Sequence, residues 1–321
     1  MTKTDDSKLD PEGLRAVEER ARQLLDRSSA WNRFPTPIED ILTAARLQIA
    51  PSSMFDAVGI LAYIRNKTAD AARYLKSAIS KVLGIYDADD RLIHIDDTVG
   101  KSKQNFLKLH ETGHHELPTH RKLFRIFQDC QKTLAPEIAD LFEREANNFA
   151  RFVLFQGDGH AVLAADCEMS IKTPINLAKK FGASVYASAR EFARKNHRAC
   201  VVYVLEPIVY VKGTGAEAVV RRIEASPSFE KRFGCPRDVI ITLDHVLGPL
   251  LPIGRKMSRP TTLSITDKNG EDHECVAEAF DTTWNVLILL YPLETLGRSK
   301  VILPARPKKA IDAPVGSLKA S

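Results

Sequence analysis

FLKLHETGHHEL, residues 106–117, decides how this chain is read, because it sets His110, Glu111 and His114 in an H-E-x-x-H frame on a segment with helical character. Residues four apart on a helix share a face, so His110 and His114 can direct two imidazole nitrogens at one metal ion. Glu111 lies beside them, close enough to take a proton from a water held there. Phe106 carries the same stripe backwards and is expected to bury the helix beneath the site. His115 is about 100° around the helix from His114, so it is expected to face solvent or a supporting partner rather than the metal.

A catalytic metal of this kind takes three protein ligands and keeps one position open. The third is expected from the next strong element, APEIADLFEREANNFARFVLF over residues 135–155, whose apolar spacing predicts a second amphipathic helix. It carries Glu143 and Glu145. Glu145 shares a stripe with Phe142, Phe149 and Phe152 and should point inward, whereas Glu143 travels with Ala146, Ala150 and Leu154. The inward stripe favours Glu145, with Glu143 as the alternative.

His110-Glu111-Thr112-Gly113-His114, followed after about thirty residues by Glu145-Ala146-Asn147-Asn148-Phe149-Ala150, resembles the ImmA/IrrE family of metallopeptidases, whose paired motifs are H-E-x-x-H and E-A-[ND]-x-F-A. The likeness runs on through residues 177–184 and Ala189-Arg190, covering roughly residues 30–205. It implies a small thermolysin-like (gluzincin) peptidase domain of α+β class and one Zn2+ held by His110, His114 and Glu145, with Glu111 as the catalytic base. It also implies limited proteolysis of a protein substrate, a helix-turn-helix transcriptional repressor or similar regulator that keeps a stress, DNA-damage, mobile-element or phage-defence response silent. Family members often end the second helix in Leu-Leu-Met-Pro; here Val153-Leu154-Phe155-Gln156-Gly157 stands there, so the cleft wall is expected to differ. The other reading of the same residues is a non-proteolytic DNA-binding or sensor protein whose metal site is structural. An intact Glu111 favours the enzyme, since a structural site needs no base beside an open position. For the group that steadies an oxyanion, His120, His94 and several tyrosines stay open.

Upstream, residues 11–27 and 38–47 have helical spacing, 48–51 can start a short strand, 58–64 reads as a strand and 69–79 as a helix. Residues 82–86 and 91–96 read as a hairpin, an edge strand able to hold an extended peptide beside the metal. Residues 170–196 contain two short helical runs broken at Gly182-Ala183-Ser184, like a helix-turn-helix. Its Lys179, Lys180, Arg190, Arg194 and Lys195 could meet phosphates or could simply be solvated helix faces. Beyond residue 199 the texture turns to β, with strands expected at 200–205, 208–211, 239–243, 261–266, 274–279 and 286–291. By resemblance to relatives with a comparable tail, this part is expected to be a GAF-like sensor. The expected division is a peptidase domain over residues 1–165, a helical unit over 166–198, a sensor-like domain over 199–304 and a flexible tail over 305–321.

The 321 residues, 44% hydrophobic, are enough for one or two sizeable cores. The polar N-terminus, with no apolar leader, and the short apolar runs point away from secretion and membrane insertion. The net charge of +5 is too dispersed to establish nucleic-acid binding, although it would tolerate it. Five widely spaced cysteines without a C-x-x-C pair suit reduced thiols and a cytoplasmic setting. Cys130 lies between the two expected ligand helices. Most simply it is a small buried residue; as an inhibitory thiolate it would occupy the open metal position. In the second case Cys130→Ala raises basal cleavage of a regulator substrate, and unchanged activity at full zinc occupancy rules the latch out.

Overall fold

The computed structural model describes residues 8–50, 84–87, 91–95, 98–120, 136–213 and 215–293. The strand expected at 58–64, the helix at 69–79, Cys130 and the tail at 305–321 lie outside them. Helix α1 (Pro11–Arg27) begins where the Asp10 carboxylate accepts from the amides of Glu12 and Gly13, with proline in the first turn. Its stripe of Val17, Ala21, Leu24 and Leu25 is buried. Helix α2 (Ile38–Ala45) leads into β1 (Gln48–Ile49). β2 (Gly84–Asp87) and β3 (Leu92–Ile95) pair antiparallel as the hairpin pattern predicts, and β1 joins β3 in parallel, giving the order β1-β3-β2.

Helix α3 (Lys101–Glu116) carries the H-E-x-x-H frame and α4 (Pro136–Leu154) packs along it. α3 stops at Leu117, which is held extended, as the residue before a proline prefers. Next come α5 (Gly159–Ala165), α6 (Lys172–Phe181) and α7 (Val185–Arg194). The turn between α6 and α7 is built as its Gly-Ala-Ser sequence dictates. Gly182 takes a left-handed φ of 71° after the last turn of α6, and the Ser184 hydroxyl caps α7 by accepting from the Ala187 amide.

The C-terminal part holds β4 (Val201–Leu205), β5 (Val209–Val211), β6 (Gly215–Ala225), α8 (Pro227–Phe233), β7 (Ile240–Thr242), β8 (Thr261–Thr266), β9 (Asp272–Asp281) and β10 (Val286–Pro292). The sheet is antiparallel in the order β5-β6-β4-β10-β9-β8, with β7 also on β6, so its first and last strands are neighbours near the middle. β4 and β10 are apolar at every position because both faces are covered. Val202, Val204, Leu287 and Leu289 join the core of the N-terminal helices, while Val201, Tyr203, Leu205, Val286, Ile288 and Leu290 fill a second core with Phe229 of α8. The helices and the sheet therefore share a core across one sheet face.

Strand β6 and helices α5 and α8 are absent from the sequence expectations. β6 carries Glu217, Arg221, Arg222 and Glu224, which do not read as a half-buried strand. A β-bulge explains the pattern. Opposite Val204 and Leu205 the register slips by one residue, so Val220 stays in the second core while Arg222 and Glu224 turn to the helix side. There Glu224 accepts from Arg190 Nε at 2.9 Å and Arg194 Nε at 3.0 Å. Lys195 pairs with Asp158 and Lys180 stands over the Phe34 ring. In the helix-turn-helix-like unit, then, the two arginines of α7 are committed to β6 rather than offered to phosphate.

His160 of α5 is fully buried against Phe155 and Phe181, with its Nε2 2.9 Å from the Ser188 hydroxyl, which itself donates to the Pro174 carbonyl. Burial lowers its pKa to about 4, against a weaker opposing pull from Glu191. The folded state thus disfavours the imidazolium. Stability is whole above the unfolded value near 6.5 and drains away as pH falls from there to about 4, by on the order of 3 kcal/mol. Urea midpoints taken between pH 7 and pH 4.5 are expected to fall more steeply for the wild type than for His160→Gln.

Candidate metal centre

α3 is buried along most of its last ten residues, polar ones included: Lys108, His110, Glu111, Thr112, His114 and Glu116 are all inside. Such burial is tolerable only where partners replace water. Lys108 Nζ donates to Glu39 at 2.7 Å, the Thr112 hydroxyl to the Lys108 carbonyl at 2.7 Å, and Arg27 Nη2 to Glu116 at 2.8 Å. Phe106 is partly buried against the helical core, with its ring 6.4 Å from that of His110.

The remaining polar groups form the centre. His110 Nε2 and His114 Nε2 stand 3.2 Å apart, and the Glu143 carboxylate lies 3.3 Å from the first and 3.6 Å from the second. These three residues are a group able to hold a metal ion. Ligands of a tetrahedral ion bound at about 2.0–2.1 Å are themselves roughly 3.3 Å apart, so the observed spacings fit such an ion. The outer ring nitrogens are occupied. His110 Nδ1 is 3.1 Å from the Asn147 side-chain oxygen, and His114 Nδ1 is 3.0 Å from His120 Nδ1. Asn147 accepts from a protonated His110 Nδ1, which leaves the His110 Nε2 lone pair aimed inward.

The expectation that Glu145 completes the set is corrected here. Glu145 does point inward, as its apolar stripe predicts, but inward leads to His120 Nε2, at 2.6 Å. Glu143 and Asn147 are four residues apart on the α4 face turned to α3, and so reach the histidines. The Glu143 side chain is 59% exposed, which puts the group at a mouth rather than in the core. Inwardness therefore did not pick out the carboxylate that stands with the two histidines. The usable signal was Ala146, a small residue on the Glu143 side of the helix that packs against Gly113.

No family model and no curated protein matches the chain. Among solved structures, it is similar to a Mycobacterium tuberculosis transcriptional regulator, at 12% identity and a TM-score of 0.46, over 86% of this chain and 75% of that one. That score is below what a shared fold requires.

Electrostatics follow from the geometry. Burial presses the His110 imidazolium down, but the Glu143 carboxylate beside it and the negative charge of Glu111 outweigh it, and its pKa is raised. For His114 burial wins over the Glu143 contact, lowering the pKa to about 4. Burial works against the Glu143 carboxylate, yet the two histidines beside it carry its pKa well below the ordinary carboxylate value. A lone pair on His114 and an ionised Glu143 are the states in which these groups can ligate. Glu111 is buried on the same turn as His110.

Of the groups left open for an oxyanion, His120 is wholly buried between His114 and Glu145, which removes it from contact with a bound molecule. A second group of ligand type, Asp267, Glu271 and His273, sits at the β8–β9 turn. It works as a clasp: Asp267 accepts from two turn amides and meets His273 Nε2 at 3.0 Å, and Arg232 lies 2.9 Å from His273 Nδ1, where its charge opposes a cation.

Among the described residues no helix is long and apolar enough to cross a membrane. Glu143→Ala is expected to weaken metal binding by more than the roughly 10–100-fold typical of losing a supporting partner, as read by chelator competition on the purified chain.

Proposed function

We propose that the chain is a zinc-dependent endopeptidase of ImmA/IrrE type, with a thermolysin-like arrangement around α3 and α4, that cuts a transcriptional repressor or similar regulator. The observation that carries this reading is the convergence of His110 Nε2, His114 Nε2 and the exposed Glu143 carboxylate, with Glu111 on the same turn as His110. Two histidines and one carboxylate are the donor set of hydrolytic zinc, and the nitrogen and oxygen donors with tetrahedral spacing suit that ion. Bound there, zinc would supply a Lewis acid that acidifies water and polarises a peptide carbonyl.

The protein's own residues do the rest. His110, His114 and Glu143 would hold the ion, and Asn147 orients His110. Glu111 is the base: its carboxylate accepts a proton from the attacking water and later returns it to the leaving amine. The hairpin of β2 and β3 packs beside α3 and is suited to align an extended peptide by strand addition. The β-rich C-terminal part is read as a sensor of GAF type, and a cytoplasmic setting suits a regulator as substrate. The rival reading, a regulatory protein with a structural metal, has no use for Glu111 beside an open position.

Glu111→Gln is expected to keep full metal occupancy and lose turnover by several powers of ten, whereas His110→Ala and His114→Ala lose the metal as well. Incubating wild type and Glu111→Gln with a helix-turn-helix repressor as the substrate, with metal analysis of each, separates the readings. Cleavage by Glu111→Gln at the wild-type rate would exclude Glu111 as the base.

A further inference from the structure

We infer that Glu145 and His120 are positioning residues, a hydrogen-bonded wire that fixes which nitrogen of His114 carries its proton and so keeps the His114 Nε2 lone pair turned to the metal position. This rests on the metal-site reading above and extends it to two residues that touch neither metal nor substrate.

The wire is built from the far side inward. The Glu145 carboxylate lies 2.6 Å from His120 Nε2. An ionised carboxylate only accepts, so His120 Nε2 carries a hydrogen and donates it. In a neutral imidazole the other nitrogen is then an acceptor, and His120 Nδ1 is 3.0 Å from His114 Nδ1. His114 must therefore place its hydrogen on Nδ1 to satisfy that contact. Its Nε2 is left bare, facing His110 and Glu143. Reversing any link reverses all of them: a hydrogen on His120 Nδ1 would force His114 to carry its own on Nε2, which closes that nitrogen to a metal.

Two further observations show that His120 is held in place. Its ring is fully buried and lies stacked on Phe142, with centroids 4.0 Å apart and planes 21° apart. Phe142 and Glu145 are three residues apart on α4, so one helix face supplies both the stacking surface and the acceptor. The reversal of the chain at Leu117-Pro118 brings His120 back against the end of α3. The two ligand histidines are thus oriented by different devices, His110 by one amide and His114 by a histidine–carboxylate pair.

The test uses the full chain and Zn2+ itself. Glu145→Leu and His120→Phe should each weaken zinc 10–100-fold in chelator competition, and the double variant should be no weaker than the worse single one, since links in series fail together. In the metal-free protein, nitrogen NMR of His114 should change from the Nδ1–H pattern to a mixture in both variants. Leu250→Ala, buried in the second core away from the wire, serves as a control for lost stability and should leave both readouts at wild-type values. An unchanged His114 signal and unchanged zinc affinity in the folded variants overturn the wire, as does an equal loss in Leu250→Ala. A wild type that binds no zinc overturns the metal-site reading instead, and the metal-free NMR still decides the wire.

Discussion

α3 and α4 meet at Gly113, where a Cβ would stand 3.2 Å from the Ala146 Cα and 3.2 Å from the Phe149 ring. That contact is backbone against backbone, and it fixes how close the two helices lie. Every group of the candidate centre is mounted on one side or the other of this seam: His110 and His114 on α3, and Glu143, Asn147 and Glu145 on α4. A wider seam would carry the carboxylate out of reach of both histidines, because separations of 3.2–3.6 Å leave little slack. The glycine inside the H-E-x-x-H frame therefore helps set the geometry of the candidate centre, although it offers no ligand.

Placing a polar helix in the interior costs free energy that the rest of the fold must offset, and the N-terminal helices are arranged to do so. α1 sends Arg20 to the Glu116 carbonyl and Arg27 to its carboxylate, α2 sends Glu39 to Lys108, and the turn after α3 returns His120 to His114. Each buried charge or ring nitrogen named here has a partner from a different element, so α3 is held at both ends and along its polar face. Rigidity at the centre follows from that distribution rather than from the helix itself.

The sheet contributes by a different route. Its two central strands are apolar on both faces, and one face continues the helical core, so the C-terminal part is mortised to the helices that follow α4. A chain of charges runs along the joint: Arg151 of α4 to Glu191 of α7, Glu191 to Arg194, and Arg194 with Arg190 to Glu224 of β6. The register slip in β6 makes this possible, by turning Glu224 toward α7 while Val220 stays in the second core.

Local rules carried far into this chain. Helical spacing placed α1, α2, α3, α4, α6 and α7 to within a few residues; alternation and turn residues placed most of the strands. The H-E-x-x-H frame put His110, Glu111 and His114 on one helix, since a period of 3.6 residues is a property of the backbone alone. What the sequence could not decide was which of Glu143 and Glu145 meets the histidines. Both lie on one helix, two residues apart, and the choice depends on the rotation of α4 against α3, set by Gly113, Ala146 and Phe149 across the seam. Strand β6 escaped notice for the same kind of reason: Glu224 is partnered by Arg190 and Arg194 of α7, which no local pattern announces. Period and propensity are written along the chain, whereas the facing partner of a side chain is decided only when distant elements pack.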